Sequence, residues 1–445
     1  MFNQLVEIMN QIPSRQITNN PLKVLIVGAG TGGLCLAHGL KSAGIFVEVF
    51  ERDHSPFDRQ AGYRLSINPI GNRALKECLP ESLFQTLVKS SVKPSQGVSF
   101  VDERLRPLLS VDIPEMNPNS LDSERPITRI ALRRILLDGL DDIVHFSKKF
   151  VVYEGGPDGR VIVRFEDGSS ATGDLLVGAD GANSRVRAQL LPHSQRIETG
   201  LLAISGKLGL NDKVRAIIPP PIFRGPTLVL GPKGCFLFAN AVKYEAVETE
   251  EPRPRRNIAL PDDESPVTDR EEYVMWGFSA RREKFGLAAS HAPLRSEDLK
   301  IAAVALMQGW DPALREILQQ TSELSVFPVK TSVPIPPWET RNVTLLGDAL
   351  HNMTPFRGMG ANMALRDASA LRRALVKVAQ GEALLLEALG HYEREMIEQG
   401  FQAVRLSLEN MQRVHSEGLR KAFAKFALRL MNVVPVLKER FRNGR

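Results

Sequence analysis

Residues 24–33 read Val24-Leu-Ile-Val-Gly28-Ala-Gly30-Thr-Gly32-Gly33, a short apolar run that leads into glycines spaced G-x-G-x-x-G. A run of this length that ends in glycine predicts a strand buried on both faces. Gly28 would permit a tight turn, Gly30 would let a pyrophosphate approach the backbone, and Gly33 would let the following helix pack closely on the strand. The segment therefore indicates a phosphate-binding turn between a strand and a helix.

The next apolar run points to a dinucleotide as the ligand of this turn. Ile45–Phe50 is followed by Glu51, which lies 23 residues after Gly28. A carboxylate at this distance accepts hydrogen bonds from the hydroxyl groups of an adenosine ribose. Because it would repel a 2′-phosphate, the pattern favours FAD or NAD over NADP in this pocket.

Two further motifs place glycine and aspartate at the end of an apolar strand. Asp180-Gly181 follows one strand, and Gly347-Asp348 follows another. A glycine loop then leads from the second motif to Gly360-Ala361-Asn362, at the start of a long helical pattern. Ligands of α/β sheets bind at the carboxyl ends of the strands, so three such motifs in one chain favour a ligand site over three structural turns.

Apolar strand-like runs alternate with helical patterns, which predicts an α/β fold. The predicted strands are Leu22–Val27, Ile45–Phe50, Val161–Phe165, Leu175–Val177, Thr227–Leu230, Cys235–Ala239, Tyr273–Phe278 and Val343–Leu346. The predicted helices are Gly32–Ala43, Leu132–Leu140, Met363–Ala379, Leu384–Leu406 and the C-terminal tail. Residues 200–280 are rich in strand-like runs and indicate a second, β-rich domain, with an exposed loop at Glu248–Asp269.

Composition excludes several other classes of protein. The chain has 445 residues with 43% hydrophobic and 24% charged residues, an ordinary globular balance. Its net charge of +6 comes from residues 411–445, which hold nine Lys/Arg against two Glu, so a nucleic-acid surface is not expected. Three separated cysteines and no metal-ligand spacing of histidines predict a cytoplasmic protein without disulfides or metal. We expect neither a signal peptide nor a membrane span.

The basic tail has two interpretations. Its apolar residues recur at helical spacing, at Leu419, Phe423, Phe426, Leu430, Val433 and Leu437. Such a helix could contact a membrane surface or a partner. The favoured interpretation is that the apolar stripe docks on the body of the protein while the basic side chains stay in water.

The three motifs, in this order, resemble those of the flavin-dependent aromatic hydroxylases, the single-component FAD monooxygenases related to para-hydroxybenzoate hydroxylase and salicylate hydroxylase. The resemblance extends from about Leu22 to Leu389 and implies a Rossmann-like FAD-binding domain, an interleaved β-rich substrate domain and C-terminal helices. The implied division is an N-terminal arm at 1–21, the FAD-binding domain at 22–95, 125–199 and 336–390, the substrate domain at 96–124 and 200–335, and a helical region with the basic tail at 391–445.

The resemblance also assigns site residues. The first motif would bind the ADP half of FAD, Asp180-Gly181 both FAD and the nicotinamide cofactor, and Gly347-Asp348 the riboflavin half. Arg129 would offset the pyrophosphate charge, and the loop at Gly62 would pass beside the flavin ring. The residues expected to bind FAD are Gly28, Gly30, Gly33, Glu51, Gly62, Arg129, Asp180, Gly181, Gly347, Asp348, Pro355, Gly360, Ala361 and Asn362. The candidate catalytic residues are Lys207, Arg357 and Arg64, whereas His351 is expected to order its loop.

The activity implied by the resemblance is that of a monooxygenase. NAD(P)H would reduce FAD, the reduced flavin would react with O2 to give a C4a-hydroperoxide, and one oxygen atom would hydroxylate or epoxidise an aromatic or polycyclic small molecule. Three alternatives stay open. They are a flavin-dependent halogenase, although no Trp-x-Trp-x-Ile-Pro signature is present, a lipid or isoprenoid reductase, and a non-enzymatic, membrane-associated dinucleotide-binding protein.

Overall fold

A computed structural model describes residues 21–56, 58, 64–92, 94–156, 158–243, 272–286 and 295–443. The expected N-terminal arm, apart from residue 21, lies outside these ranges, as do Gly62 and the whole of the predicted loop Glu248–Asp269.

A five-stranded parallel sheet forms the centre of the first half of the fold. Its strands, in spatial order, are β17 (Val343–Leu345), β11 (Leu175–Gly178), β1 (Lys23–Val27), β2 (Phe46–Phe50) and β7 (Val144–His145). β1 is paired on both sides and its Val24, Leu25 and Ile26 are fully buried, as the apolar run predicts. The carboxyl ends of β1, β11 and β17 therefore meet at one edge, where the three motifs follow them.

Helices and small sheets cover this parallel sheet. The helices that follow its first strands and connect its parts are α1 (Thr31–Ser42), α2 (Pro69–Cys78), α3 (Glu81–Ser90), α4 (Arg129–Leu137) and α5 (Arg185–Leu190). A three-stranded antiparallel sheet consists of β8 (Phe150–Gly155), β9 (Val161–Phe165) and β10 (Ser170–Gly173). A two-stranded sheet pairs β3 (Arg64–Ile67) with β6 (Arg125–Thr128).

A seven-stranded mixed sheet forms the second half of the fold. Its order is β16 (Leu324–Ser332), β12 (Arg196–Gly209), β15 (Tyr273–Arg281), β14 (Phe236–Val242), β13 (Thr227–Leu230), β4 (Gly97–Asp102) and β5 (Pro107–Asp112). One face packs on short helices and buries Trp276 and Phe278 in a core of its own. The helices of this half are α6 (Asp212–Ile217), α7 (Pro220–Arg224), α8 (Ser296–Leu306) and α9 (Pro312–Gln320).

The sequence patterns did not indicate β12 or β16 as individual strands. The first half of β12 is mostly polar and contains Gly200, so it lacks an apolar run. β16 contains Pro328, which lacks an N–H donor and fits here because β16 is an edge strand. Pairing with β15 and β16 on its two sides, rather than local preference, holds β12 extended.

The C-terminal part is helical, as predicted. It contains α10 (Asp348–His351), α11 (Gly360–Ala379), α12 (Leu385–Val414), α13 (Gly418–Val433) and α14 (Pro435–Asn443). Among the described residues, no helix is both long enough and apolar enough to cross a membrane.

The prediction that the tail docks through its apolar stripe is wrong. α13 does pack on β5, but Leu419, Phe423 and Phe426 are exposed, whereas Lys421 is buried. The buried carbonyl oxygen of Val414 and the partly buried carboxylate of Glu103 receive Lys421 and Lys425, so the side of the helix that carries these lysines is the one that docks. Helical periodicity identifies the two faces of such a helix, but it does not show which of them meets the body.

Candidate active site

The first glycine motif forms a turn that other residues could not adopt. Gly28 has a φ of +110°, and a Cβ atom there would lie 2.4 Å from the carbonyl oxygen of Ala179. A Cβ atom at Gly33 would lie 2.2 Å from the carbonyl oxygen of Gly28, so this glycine permits the close contact between α1 and β1. At Gly30 a Cβ atom would meet no atom of the described residues within 4 Å. The turn is thus tightly packed on two sides and open at Gly30.

The open side of the turn coincides with the N-terminus of α1. Gly30 is the N-cap residue, and no side chain of the described residues caps this helix. Its first N–H groups and the positive end of its dipole therefore face the space beside Gly30. This arrangement suits a pyrophosphate.

Glu51 braces the same turn. Its carboxylate is buried and accepts hydrogen bonds from the backbone N–H of Ala29 at 2.8 Å and of Asp53 at 3.1 Å. The position at the end of β2 is the one that the motif predicts for the ribose-binding acid.

Arg133 is a component of this region that the sequence patterns did not single out. Its guanidinium donates to the carbonyl oxygens of Ala29 at 2.6 Å and Pro56 at 3.2 Å, and lies 3.7 Å from the carboxylate of Asp53. Arg133 therefore connects α4, the glycine turn and the segment after β2. The only sequence signal was its place in the arginine-rich helix start that also contains Arg129.

The second motif lies directly against the first. A Cβ atom on Gly28 would lie 2.9 Å from Cα of Asp180. One carboxylate oxygen of Asp180 accepts from the backbone N–H of Arg185 at 2.7 Å and of Val186 at 3.3 Å, which caps α5. The other oxygen is buried and has no hydrogen-bond partner within the described part of the chain, so it remains available to a ligand. Gly181, with a φ of +77°, completes the turn.

A buried histidine–aspartate pair holds the third motif. Asp367 on α11 accepts a hydrogen bond from the backbone N–H of Gly347 at 3.0 Å, and the same carboxylate lies 2.6 Å from Nε2 of His351. Burial alone would lower the pKa of His351, but Asp367 and then Asp348 outweigh it and raise that pKa. The ring fits against α12 because Gly400 has no side chain: a Cβ atom there would lie 2.4 Å from it. His351 therefore orders the loop, in the manner expected of it.

Asp348 lies where the third motif meets the start of α11. Its Oδ1 would be 3.7 Å from a Cβ atom on Gly360, and no side chain caps the N-terminus of α11 among the described residues. Burial raises the pKa of the Asp348 carboxyl, whereas His351 and, more weakly, Arg129 and Arg196 oppose that shift. A partly exposed carboxylate acceptor therefore lies beside a helix N-terminus that offers N–H donors.

The side chain of Asn362 has a structural role. Its Oδ1 accepts from the backbone N–H of Asn68 at 2.9 Å, and its Nδ2 donates to the carbonyl oxygen of Ser66 at 2.9 Å. These bonds fasten the end of β3 to α11. Any contact of Gly360-Ala361-Asn362 with a cofactor would therefore be made by the backbone.

The seven-stranded sheet contributes a face that the sequence patterns did not reveal. Strand register places Ser205, Lys207, Phe238, Asn240 and Met275 on one face, opposite the face that packs on α8 and α9. Ser205 Oγ and Asn240 Oδ1 are buried and have no hydrogen-bond partner within the described ranges. Such atoms are costly unless a ligand or water satisfies them.

The same face continues towards the third motif. Phe356, in the short 3-10 turn Pro355–Arg357, packs against Phe236 and against Leu201 and Ala203 of β12. We call the face defined by Ser205, Lys207, Phe238, Asn240 and Met275, together with Phe236 and Phe356, the chamber face. This face of the seven-stranded sheet is turned towards the loop that follows Asp348.

The three candidate catalytic residues do not share one cavity. Lys207 is exposed, with Nζ 4.7 Å from the ring centroid of Tyr273. Arg357 lines a cavity of about 390 Å³ between α2, α11 and α12, and Lys207 and Arg64 are absent from its lining. Arg64 begins β3 and pairs with Thr128, immediately before Arg129. Of the three, Lys207 is the residue that lies on the chamber face.

The residues present fit FAD. Within the described part of the chain, the space beside Gly30 is open, the N-termini of α1 and α11 have no side-chain cap, and Oδ1 of Asp180 has no partner. These groups supply donors and an acceptor at one sheet edge. Asp348 adds an acceptor suited to the hydroxyl groups of a ribityl chain. A molecule with an anionic pyrophosphate between two hydroxyl-bearing halves matches this order of groups.

Comparison with known proteins agrees with this fit. Residues 292–407 match a family model described as an FAD binding domain, and residues 26–69 match an NAD(P)-binding Rossmann-like domain. The dual O-methyltransferase/FAD-dependent monooxygenase of Phaeosphaeria nodorum is 33% identical over 386 residues, which cover 80% of this chain and 40% of that protein. The chain spans 40–44% of the length of the first curated relatives that it matches.

Solved structures match over nearly their whole length. An FAD-containing protein of Photorhabdus luminescens assigned as a monooxygenase is 32% identical, with a TM-score of 0.77 and coverage of 88% of this chain and 98% of that one. A Klebsiella pneumoniae protein complexed with FAD and uric acid shares the fold at 23% identity, with a TM-score of 0.72 and coverage of 94% and 95%. The chain belongs to the FAD-dependent monooxygenases.

Proposed function

We propose that the chain is the catalytic unit of an FAD-dependent monooxygenase that uses NAD(P)H and O2 to insert one oxygen atom into an aromatic or polycyclic small molecule. The observation that carries the proposal is the chamber face, where two buried polar atoms without a partner among the described residues lie beside aromatic side chains, next to the loop of the third motif. This face would bind a substrate, and the sheet edge opposite it would bind FAD.

The chain's own residues would hold FAD along the edge of the parallel sheet. Backbone N–H groups at the start of α1 would bind the pyrophosphate, with Arg129 offsetting its charge, and Glu51 would accept from the adenosine ribose. Asp348 would accept from the ribityl chain, and the N-terminus of α11 would face the flavin edge that becomes negative on reduction. Bound FAD supplies hydride acceptance from NAD(P)H and the activation of O2. Asp180 and Gly181 would also serve the incoming nicotinamide cofactor.

The chamber face favours a hydroxylated aromatic substrate. Asn240 Oδ1 is an acceptor and suits a hydroxyl donor, whereas Ser205 Oγ both donates and accepts. Phe238 and Phe356, which are only partly buried, offer ring surfaces to a planar molecule. Lys207, on the same face, would favour the ionised form of a phenol, which is the more electron-rich form and the easier one to oxygenate. We therefore propose a phenolic or polycyclic hydroxy compound as substrate.

Arg357 and Arg64 are proposed at the margins of the reaction site. Arg357 directly follows Phe356 of the chamber face. Arg64 pairs with Thr128, the residue before Arg129. Their role in catalysis stays a prediction.

One experiment tests the proposal. The protein, reconstituted with FAD, is supplied with NADH or NADPH and a panel of polycyclic phenols under ¹⁸O₂. We expect a flavin absorbance band, substrate-dependent consumption of NAD(P)H and O2 in step, and a product that contains one ¹⁸O atom. NAD(P)H consumption without O2 uptake would instead indicate a reductase, and failure to bind FAD would refute the proposal. Ser99→Ala, on the opposite face of the same sheet, is a control for the variant Ser205→Ala.

A further inference from the structure

Helix α13 exposes an apolar stripe to solvent. The stripe consists of Leu419, Phe423, Phe426, Leu430 and Val433, which are 90%, 71%, 60%, 46% and 78% exposed. Residues at these spacings lie on one side of an α-helix. We call this side the α13 stripe. Contiguous exposed apolar surface of this kind marks an interaction site more often than an isolated exposed leucine does.

The opposite side of α13 is bound to the body through polar groups. Nζ of Lys421 donates to the carbonyl oxygens of Val414 at 3.1 Å and Cys235 at 3.4 Å. Lys425 forms an ion pair of 2.8 Å with Glu103, and Asn432 accepts from the backbone N–H of Ser110 at 3.1 Å. These contacts fix the rotation of the helix about its axis, so the stripe is held outward.

Holding the helix in this rotation is unfavourable at Lys421. Burial lowers the pKa of this ammonium to about 8, because the charged form is poorly solvated there. The inverted packing therefore places a cation in the interior and five apolar side chains in water. Both arrangements are unfavourable in the isolated protein. A partner that covers the stripe would remove the free-energy cost of exposing the apolar side chains to water.

The charges around the stripe indicate which partner fits. Residues 418–433 contain four basic residues and no acidic one. With 100° between successive residues, Arg420 and Arg429 lie about a quarter turn to either side of the centre of the stripe. Arg420 is exposed, and α14 adds Lys438 beyond the end of the stripe. The side chain of Arg429 is half exposed and forms an ion pair of 3.6 Å with the buried carboxylate of Asp102, so it is partly neutralised by the body. The stripe is thus an apolar band with cationic margins.

We propose that α13 is a membrane-docking helix that inserts the α13 stripe into the interface of an anionic phospholipid bilayer, with its axis parallel to the bilayer plane. The apolar band would enter the acyl boundary, and Arg420 and Lys438 would meet lipid phosphates. The 16 residues of α13 span about 24 Å, which is shorter than the hydrocarbon core of about 30 Å, so the helix lies on the bilayer and does not cross it.

The inner side of the same helix reaches the chamber face. Leu428 of α13 packs with Phe236 and Phe356 in one apolar cluster. A bilayer on the α13 stripe would therefore lie one helix thickness from the proposed substrate-binding surface. This position suits the uptake of a lipophilic substrate from the membrane. The docking itself does not depend on the proposed function.

A second copy of the chain fits the stripe less well. Two identical stripes packed face to face would bring the cationic margins of both copies together, and like charges in contact oppose association. An anionic bilayer complements the same margins along their full length. Self-association is therefore the competing outcome that the experiment has to separate.

Vesicle sedimentation tests the proposal. The full chain is incubated with vesicles of phosphatidylcholine alone or of phosphatidylcholine mixed with phosphatidylglycerol, and the bound fraction is measured in the pellet. We expect binding to the anionic vesicles, a decrease as salt is raised, and a loss of at least about tenfold in partitioning for the double variant Phe423→Ser/Phe426→Ser. Arg420→Gln should lose about fivefold.

Matched controls make the outcome specific. Phe46→Ser and Ile301→Ser change apolar residues that are 60% and 67% exposed elsewhere, and they should bind vesicles like the unaltered chain. Equal, negligible pelleting of all forms would overturn the proposal, and so would equal binding to both kinds of vesicle. A dimer in light scattering that dissociates in Phe423→Ser/Phe426→Ser, without vesicle binding, would assign the stripe to self-association and also overturn it.

Discussion

The two large sheets build the site in different ways. The parallel sheet offers backbone groups in the turns after its strands, at Gly30 and Gly181, whereas the seven-stranded sheet offers side chains from the middle of its strands, at Ser205 and Asn240. A cofactor that is common to a whole family suits fixed backbone donors. A variable substrate suits side chains, because these can change without altering the turn geometry. Under the proposed function, this difference separates cofactor binding from substrate choice.

The largest effect is expected from Gly28→Ala. The new Cβ atom would lie 2.4 Å from the carbonyl oxygen of Ala179 in a backbone with φ of +110°. We expect the free energy of unfolding to fall by about 3 kcal/mol or more, with loss of bound flavin. Urea unfolding and flavin absorbance after gel filtration measure both quantities.

Gly30→Ala is the matched control for this change. Its Cβ atom would enter open space, so the fold should stay intact while flavin retention decreases. If both variants unfolded equally, steric packing at the strand end would not be what distinguishes them.

Two buried histidines should respond to pH in opposite directions. His415, beside β15, lies 2.9 Å from Ser279 Oγ and 2.8 Å from the carbonyl oxygen of Met411, and burial lowers its pKa to about 4. The unfolded chain therefore binds a proton first, and stability should fall by up to about 3 kcal/mol as the pH decreases from 6.5 towards 4. The raised pKa of His351 stabilises the fold below pH 6.5, and this contribution is lost as the pH rises through the folded value.

Urea titrations at several pH values measure this contrast. His415→Gln should lessen the loss of stability in acid, whereas His351→Gln should lessen the gain. Identical pH profiles for the two variants would contradict the proposed environments of both rings.

Asp348→Ala should weaken flavin binding by about 1–3 kcal/mol, because it removes an acceptor for the ribityl chain. The same change should leave the apoprotein as stable as before, or more so, because burial disfavours the charged form of this carboxyl and raises its pKa. Flavin titration followed by fluorescence, together with thermal unfolding of the apoprotein, separates the two effects. A destabilised apoprotein with normal flavin affinity would assign Asp348 a structural role.

The smallest effect is expected on the chamber face. Ser205→Ala and Asn240→Leu should each raise KM for the aromatic substrate about five- to tenfold, through loss of one hydrogen bond, and leave flavin content unchanged. Steady-state kinetics at saturating NAD(P)H measures the change, with Ser99→Ala as reference. A loss of flavin in either variant would show that the two sheets do not divide the work as proposed.

The sequence patterns found the parallel-sheet components because these are local. Gly28, Gly30 and Glu51 lie within one strand–helix–strand unit, and Gly347-Asp348 directly follows its strand. Lys207 and Asn240 share a face because both pair with Met275 on the strand between them, and Ser205 joins them through its pairing with Gly277; no local pattern sets that register. Arg133 was likewise missed, since its partners Ala29 and Pro56 come from another part of the chain.

The orientation of α13 could not be predicted for the same reason. Its periodic stripe was visible, but the side that docks is chosen by Glu103, which lies 322 residues before Lys425, and by the backbone of Ser110. Amphipathicity shows which side of the helix is apolar. Whether that side faces the body or the solvent depends on the partners of the polar side, which come from distant parts of the chain.

Strand β12 spans the distance between the region of Asp348 and the chamber face. It runs from Arg196, whose positive charge lowers the pKa of Asp348, to Lys207 on the chamber face. A bulge between Glu198 and Leu202 contains Gly200, which has a φ of +78°. At about 3.3 Å per residue, removing two residues beyond the bulge would shorten β12 by about 7 Å and would keep every side chain on its face of the sheet. Removing one would turn Ser205 and Lys207 away from the chamber. The strand therefore permits this distance to be changed only in steps of two residues.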